Sequence, residues 1–199
     1  MIVHNVIQGT EEWMKLRVGI PTASVFDQIV TTKGEPSKSR IKLLYKLAGE
    51  QLTGCKAESF SNNHIQRGIE LESQARSVYS MMRECEVQEV GFCLDDSGRW
   101  GCSPDGMVGE GIVEIKCPSL PVHVEYLLKG KLPADYFQQV HGQMMVTGAK
   151  WCDFFSFYPE IKPLMVQVEP DLKFIDKLRS GLVAFCQELD ETVKRLQEA

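Results

Sequence analysis

The order of the predicted elements indicates one domain of the mixed α/β (α+β) class, with a central mixed β-sheet flanked by helices. A long helical pattern at 62–83 precedes three strand-like runs, which are followed by two helices, two further strands and a closing helix. Helices covering a sheet of mixed strand direction are the usual arrangement for this order. The chain has 199 residues, of which 43% are hydrophobic, and it contains no internal repeat or linker. A single domain over residues 1–199 with a substantial core is therefore predicted.

The N-terminal part of the chain is predicted to be helical. Residues 11–18 form a short helix, and Thr22 caps a second helix that ends near residue 31, since Thr oxygens accept hydrogen bonds from first-turn N–H groups. A polar loop follows at 32–38. Apolar residues at helical spacing then predict a helix that ends at Gly54.

The remaining elements alternate between strands and helices. Alternating apolar residues bounded by turn residues predict strands, and apolar residues at a spacing of three or four predict helices. The strand-like runs and helices lie at 87–94, 100–108 and 112–117 (strands), near 121–129 and 134–147 (helices), near 151–158 and 164–169 (strands), and from Asp171 to about Leu196 (helix).

Composition excludes several classes of protein. The net charge of −5 argues against a general nucleic-acid coat protein, although it permits DNA binding in a confined basic patch. No apolar run approaches the ~20 residues of a membrane span, and the first residues lack the pattern of a signal peptide. The seven scattered cysteines contain no C-x-x-C pair, so reduced thiols of a cytoplasmic protein are expected. The four histidines show no metal-ligand spacing.

Residues 102–117, C-S-P-D-G-M-V-G-E-G-I-V-E-I-K-C, carry the candidate chemistry. Glu114 and Lys116 share one face of a strand, because successive side chains alternate. The Gly-Glu pair at 109–110 suits a type II′ hairpin loop, and counting back from it places Asp105 opposite Glu114. Opposed side chains have Cβ atoms roughly 4.5–5.5 Å apart, so the two carboxylates repel unless a cation lies between them. The spacing predicts a metal site.

Pro104 limits this register, because proline has no N–H to donate to a ladder. The ladder is expected to end or bulge there, which leaves the facing of Ser103 open. A second E-x-K sequence at 160–162 lies between two prolines and lacks an S-P-D-G partner. It is predicted to lie in a turn between strands, as an ordinary solvated charge pair.

Four patches carry a family resemblance. S-P-D-G at 103–106 with E-I-K at 114–116 resembles the motif of the PD-(D/E)XK nuclease superfamily. W-M-K-L-R-V-G-I-P-T-A-S at 13–24, G-I-E-L-E-S-Q-A-R at 68–76 and F-Q-Q-V at 137–140 resemble lambda exonuclease and the YqaJ-like viral recombinases. The patches span most of the chain in the family's order. They imply a restriction-endonuclease-like core.

The resemblance implies an active site that holds Mg²⁺, an ion that favours oxygen ligands. Asp105, Glu114 and Glu72 would be its acidic ligands, with the backbone carbonyl of Ile115 as a further one. The residues alone leave Glu72 undecided, since it and Glu70 both suit a solvated helix face; the family pattern selects Glu72. Two ions are expected, because a pair can clamp the attacking and leaving oxygens of a displacement. Mn²⁺ is the expected substitute.

Two further residues are assigned roles by the resemblance. Lys116 would orient the attacking water or offset charge on the phosphate, rather than act as general base, because a Lys among carboxylates keeps its proton. Gln139 is similar to the family Gln that positions this water, although a surface amide is nearly as consistent with the sequence.

Arg17, Ser24 and Ser103 are implied to form a pocket for a 5′-phosphate. An Arg fork and hydroxyl groups are suited to a terminal phosphate, and Ser24 falls in the first turn of a predicted helix, which favours an anion. Taken singly, Arg17 is more often a salt-bridge residue and Ser24 a helix-start residue. The family's additional basic residue after E-x-K is replaced by P-V-H at 121–123.

The implied function is that of an Mg²⁺-dependent 5′→3′ exonuclease that degrades one strand of double-stranded DNA from its ends. It would leave 3′ single-stranded overhangs for phage-type homologous recombination, in the cytoplasm of a bacterial host of a phage or prophage. A homotrimeric ring and a single-strand annealing protein are the implied partners, without a membrane. Two alternatives stay open: another nuclease of the superfamily (an endonuclease or a RecB-like enzyme), and a catalytically silent DNA-end-binding protein.

Overall fold

A computed structural model describes residues 1–57 and 63–198, with only the helical backbone described for 63–69. The elements in chain order are β1 (Ile2–His4), α1 (Glu11–Leu16), a 3₁₀ helix (Ala23–Gln28), α2 (Arg40–Thr53), α3 (Asn63–Arg83), β2 (Phe92–Leu94), β3 (Gly101–Cys102), β4 (Gly106–Val108), β5 (Gly111–Lys116), α4 (Leu120–Lys129), a second 3₁₀ helix (Ala134–Tyr136), α5 (Phe137–Thr147), β6 (Cys152–Ser156), β7 (Leu164–Val168) and α6 (Leu172–Gln197).

The strands form two sheets, which helices accompany. The predicted α+β class is confirmed. One is an antiparallel sheet in the order β1-β2-β3, and the other is a mixed sheet in the order β4-β5-β6-β7, in which β5 and β6 run parallel. The single strand expected at 100–108 divides into β3 and β4. The break falls at Ser103, Pro104 and Asp105, where proline cannot supply a ladder hydrogen bond.

The β4–β5 hairpin has the predicted register. Val108 pairs with Gly111, and Gly106 pairs with Val113. Gly109 has φ of +56°, as the first central position of a type II′ turn requires. Because the pairing is intact at Gly106, the preceding residue Asp105 lies at the edge of β5 beside Glu114.

Helices cover both faces of the mixed sheet. On one face, Val140 and Met144 of α5 pack in a cluster with Ile112 of β5. On the other face, Tyr79 of α3 packs in a cluster with Val113 and its neighbours. The alternation of β5 therefore turns Glu114 and Lys116 towards α5, while α3 lies on the opposite side of the same strand.

A second core joins the N-terminal segment to α2 and α6. The 3₁₀ helix Ala23–Gln28 packs on α5 at Gly142, where an added Cβ would lie 2.4 Å from the ring of Phe26. Only a glycine permits this approach. The contact fixes the segment that carries Thr22 and Ser24 against the helix that carries Gln139.

Two expectations for the N-terminal part were wrong. The helix predicted from Thr22 to about residue 31 is a 3₁₀ helix of six residues, and the Thr22 side chain makes no capping hydrogen bond. Thr22 instead accepts a hydrogen bond from Arg17. Strand β1 was not predicted, since it has three residues, two of them exposed.

The strand predicted at 87–94 was too long, because β2 covers only Phe92–Leu94 and Gln88 forms an isolated bridge with Met107. The helix predicted near 134–147 begins with the 3₁₀ helix Ala134–Tyr136.

The other boundaries agree with the patterns to within two residues. Helix α2 ends at Gly54 in a left-handed conformation, and the Asp171 carboxylate accepts the Phe174 N–H at the start of α6. No helix in residues 1–57 or 63–198 combines the length and the apolar character that a bilayer crossing requires.

Candidate active site

The two carboxylates of the hairpin lie at the end of its ladder. The Asp105 side chain accepts a hydrogen bond of 2.6 Å from the backbone N–H of Ile115. It thereby satisfies a strand N–H beyond the last paired residue of β4, where the Pro104 carbonyl accepts from Gln8 instead. Because the N–H and C=O of one strand residue point to the same side, the Ile115 carbonyl is directed to the same edge as Asp105.

Glu114 is held by donors on both of its oxygens. Its side chain is 1% exposed. One oxygen accepts a hydrogen bond from the Lys116 ammonium and another, of 2.5 Å, from Gln139; the second oxygen accepts one of 2.6 Å from Gln143. A buried carboxylate needs such partners, because an unpaired charge in the interior is costly. Both glutamines lie on α5, four residues apart and hence on one helix face.

The surroundings shift the ionisation of the neighbouring groups. Burial, followed by the negative charge of Glu114, raises the pKa of Asp105 well above its usual value. Burial acts to lower the pKa of Lys116, but the charges of Glu114 and Asp105 outweigh it and raise that pKa. Lys116 therefore stays protonated, with its Nζ 5.2 Å from the ring centroid of Tyr136.

Glu72 lies on α3 and is paired with Arg76, one turn later. Arg76 Nη2 is 2.5 Å from Glu72 Oε1, and its Nη1 is 3.0 Å from Glu89 Oε2. Its Nε donates to the backbone carbonyl of Asp105 at 3.1 Å. Arg76 thus ties α3 to the hairpin end. Burial raises the pKa of Glu72, and the cation of Arg76 opposes that rise.

The donor set suits a hard divalent cation. Asp105 and Glu114 supply carboxylate oxygens, and the negative charge of Glu114 is the second cause of the raised pKa of Asp105. A bound cation would remove that repulsion, and Mg²⁺ prefers such ligands. Within the described part of the chain, no group of three His, Cys, Asp or Glu side chains is arranged to hold a metal ion. The Glu72 carboxylate is turned to Arg76 instead.

Arg17, Ser24 and Ser103 lie together beside these acids. Arg17 Nη1 donates to Ser103 Oγ at 3.2 Å, and Nη2 donates to Thr22 Oγ1 at 3.3 Å. Ser24 Oγ lies 3.2 Å from Thr22 Oγ1. No carboxylate of residues 1–57 or 63–198 forms an ion pair with Arg17. Burial lowers the pKa of this guanidinium to about 10, so an anion would stabilise it.

Trp13 holds two members of this cluster in place. The Arg17 guanidinium carbon lies 3.9 Å from the centroid of the indole ring. The indole Nε1 donates to Ser103 Oγ at 3.0 Å. Since Ser103 Oγ accepts from both Trp13 and Arg17, its own O–H remains available to donate to a ligand.

One cavity of about 160 Å³ connects the acids with the Arg17 cluster. Its lining includes every predicted polar site residue except Glu72; the lining residues are Gln8, Trp13, Arg17, Thr22, Ala23, Ser24, Ser103, Asp105, Glu114, Lys116, Gln139 and Gln143. A phosphodiester near the carboxylates and a terminal phosphate near Arg17 could therefore belong to the same strand.

The sequence analysis did not identify Trp13, Thr22, Arg76 or Gln143 as members of the site. Arg76 and Gln143 each follow a predicted site residue by four positions, so helical spacing was an available signal. Residues 121–123, which stand where the family has a basic residue, do not line the cavity. His123 is fully buried, and its Nδ1 lies 2.8 Å from Ser156 Oγ.

The second E-x-K sequence, at 160–162, lies between β6 and β7, as predicted. Glu160 has φ of +67°, and both Glu160 and Lys162 are exposed. Spacing of acid and lysine alone therefore does not build a site. Of the histidines expected to be structural, His64 lies outside the residues whose side chains are described.

Comparison with known proteins assigns the chain to a family. Residues 12–150 match the YqaJ-like viral recombinase domain. The chain belongs to this family. The PD-(D/E)XK resemblance of the hairpin and the YqaJ-like resemblance of the flanking patches are thereby supported together. No curated protein matches the sequence.

Solved structures extend the likeness over nearly the whole length. The alkaline exonuclease LHK-Exo from Laribacter hongkongensis is 34% identical over 95% of this chain and 97% of its own, with a TM-score of 0.88. One crystal structure of LHK-Exo is a complex with dAMP. A phage-related exonuclease from Haemophilus somnus 129PT, 18% identical with a TM-score of 0.72 over 89% of this chain and 96% of its own, shares the fold. The family and LHK-Exo support a nuclease activity.

Proposed function

We propose that this YqaJ-family protein is an Mg²⁺-dependent 5′→3′ exonuclease that degrades one strand of double-stranded DNA from its ends. The observation that carries the proposal is the shared cavity, in which an acid–lysine group and an arginine–hydroxyl group are only a few side chains apart. The first group suits hydrolysis of a phosphodiester. The second suits recognition of a terminal phosphate, which would select the end that is attacked.

Asp105, Glu114 and the Ile115 carbonyl would hold the cation, with Glu72 as a further acidic ligand. Bound Mg²⁺, as one or two ions, would supply polarisation of the phosphate and activation of water. For Glu72 to take part, its carboxylate must turn away from Arg76. Arg76 keeps a second carboxylate partner in Glu89, so this rotation does not leave the guanidinium unpaired.

Lys116 acts as a cation rather than as a base. Its pKa is raised because the surrounding carboxylates outweigh the effect of burial, so its ammonium remains protonated when water attacks. From its position on Glu114 it can donate to the attacking water or to a phosphate oxygen. Gln139, on the same carboxylate oxygen, can orient the same water through its amide.

The polarity of digestion would come from the Arg17 cluster. A guanidinium fork makes two parallel hydrogen bonds to a phosphate, and Ser103 and Ser24 add hydroxyl donors. Helix N-terminal N–H groups add less than the sequence suggested, since Ser24 belongs to a short 3₁₀ helix. LHK-Exo has been crystallised with dAMP, a 5′-mononucleotide of the kind that this reaction releases.

The product follows from this activity, and the family resemblance suggests the assembly. Digestion from 5′ ends leaves 3′ single strands, the substrate for phage-type recombination through an annealing protein. We propose a homotrimeric ring as the active form and the cytoplasm of a bacterial host as its location.

End-labelled linear duplexes test the function. With Mg²⁺, or Mn²⁺ as its substitute, a 5′-³²P label is expected to be released at once as mononucleotide, while a 3′ label stays in long single strands. EDTA should abolish both. Early release of the 3′ label would overturn the polarity. Cleavage of a covalently closed circle would indicate an endonuclease, and binding to ends without release of either label would indicate a silent end-binding protein.

A further inference from the structure

Gln143 is a buried amide with no part in the proposed chemistry. Its side chain is 1% exposed on α5 and lines the cavity. Its Nε2 donates at 2.6 Å to Glu114 Oε2. No other donor to that oxygen occurs among the hydrogen bonds of residues 1–57 and 63–198, because Lys116 and Gln139 both bind Oε1.

The carbonyl oxygen of the same amide accepts no hydrogen bond within the described part of the chain. The amide cannot be reversed to relieve this, since reversal would place Oε1 against a carboxylate oxygen. A buried acceptor without a partner typically costs about 1–3 kcal/mol, so its retention requires an explanation. Its orientation follows from the other half of the amide, because the N–H₂ can bind Glu114 Oε2 only when the carbonyl oxygen points away from that carboxylate.

We propose that Gln143 is a positioning residue for cation binding. Its N–H₂ fixes the plane of the Glu114 carboxylate by binding the oxygen that Lys116 and Gln139 do not bind. Glu114 is thereby held with Oε1 on Lys116 and Gln139 and with Oε2 on Gln143. The inference rests on the proposed function, because it concerns the cation that Glu114 would hold.

The test compares two buried glutamines of α5. Gln143→Met removes the donor and the acceptor while keeping the length of the side chain. Gln138→Met is the matched control, because Gln138 is 5% exposed and does not line the cavity. Its Nε2 donates to the Val30 carbonyl at 3.2 Å. Mn²⁺ affinity is measured by titration calorimetry without DNA, and thermal unfolding is measured in EDTA.

We expect Gln143→Met to bind Mn²⁺ about 10- to 100-fold more weakly than the wild type, as is usual when a partner of a ligand carboxylate is removed. Gln138→Met should bind Mn²⁺ as the wild type does. In Ca²⁺, the affinity of Gln143→Met for duplex ends should stay unchanged, while kcat with Mg²⁺ falls. If Gln143 had only a structural role, the substitution would lower Tm, and the affinity for duplex ends would fall together with Mn²⁺ affinity and kcat.

Gln143→Asn keeps the test decisive if the Met variant does not fold. Asn retains a polar amide but is too short to reach Glu114, so Mn²⁺ affinity should again fall. Wild-type affinity in either folded variant, or an equal loss in Gln138→Met, would overturn the inference. Failure of the proposed function looks different: the wild type itself would then bind no Mn²⁺, and Glu114→Ala would change nothing.

Discussion

The carboxylate of Asp105 accepts the backbone N–H of Ile115 at 2.6 Å, across the point where the hairpin ladder ends. One side chain therefore has a structural and a chemical task. It satisfies a buried strand N–H, and its charge, close to that of Glu114, creates the negative field that a divalent cation would neutralise. The two tasks can be separated by substitution, because an amide oxygen can accept a hydrogen bond without carrying a charge.

Asp105→Asn and Asp105→Ala should both lose hydrolysis, by more than about 100-fold, because each removes a cation ligand. They should differ in stability. Ala leaves the Ile115 N–H without an acceptor, which costs about 1–3 kcal/mol of unfolding free energy. Asn keeps an acceptor and removes the repulsion that contributes to the raised pKa of Asp105. Urea unfolding in EDTA measures the difference. Equal stability of the two variants would show that the hydrogen bond contributes nothing.

Lys116→Met should retain Mn²⁺ affinity and affinity for duplex ends while its kcat falls by about 100- to 1,000-fold, as for loss of one charge-stabilising donor. Glu114 keeps two amide donors in this variant, from Gln139 and Gln143, so its carboxylate stays in place.

Lys162→Met is the control for Lys116, since it alters the same E-I-K tripeptide at an exposed turn. It should be fully active. Single-turnover digestion and calorimetry with Mn²⁺ separate the two effects. A collapse of Mn²⁺ affinity in Lys116→Met would contradict the role assigned to the ammonium.

Arg17→Ala should weaken the preference for a 5′-phosphate over a 5′-hydroxyl end by about 10- to 100-fold, because hydrogen bonds to charged groups are worth about 1.5–3 kcal/mol. General duplex binding should change less. Lys15→Ala, which removes an exposed α1 cation paired with Glu11 at 2.7 Å, should leave the preference intact. Competition binding with the two ends in Ca²⁺ measures it. An equal loss on both ends would mean that Arg17 supports the fold or contacts only the DNA backbone.

Local patterns predicted the centre of the site. The turn at 109–110 and the two-residue period of strands predicted from sequence alone that Asp105 lies beside Glu114. This was possible because a hairpin register depends only on nearby residues. Pro104 also ended the ladder as expected. The arrangement of Glu114, Lys116 and Gln139 required in addition that α5 lie on one particular face of β5, which the family resemblance supplied and periodicity did not.

Long-range packing accounts for what was missed. Arg76 reaches the Asp105 carbonyl only because α3 lies on the sheet, and no spacing within α3 reveals that. Thr22 was predicted to cap a helix, but its hydroxyl accepts from Arg17 instead, since a buried guanidinium competes for the same oxygen. Trp13 likewise gains its role only when α1 meets Ser103, 90 residues later.

The last prediction is that the active protein is a ring of three subunits. A compact chain of this length has a radius of gyration of roughly 16 Å, so one subunit cannot surround a duplex. The net charge of −5 gives one subunit little general hold on DNA. Helix α4 also presents exposed apolar residues at a spacing of four, Leu120, Val124 and Leu128, the last 84% exposed. Such a stripe is typical of a surface that another subunit covers.

Cyclic symmetry closes a ring through one repeated head-to-tail interface. Light scattering after size exclusion is expected to give three times the mass of the chain. Digestion of a long duplex should continue after excess competitor DNA is added, because a captive substrate cannot dissociate. The ring would be refuted if the protein were monomeric at the assay concentration and still continued digestion after competitor DNA was added. Encirclement is the property that the ring supplies.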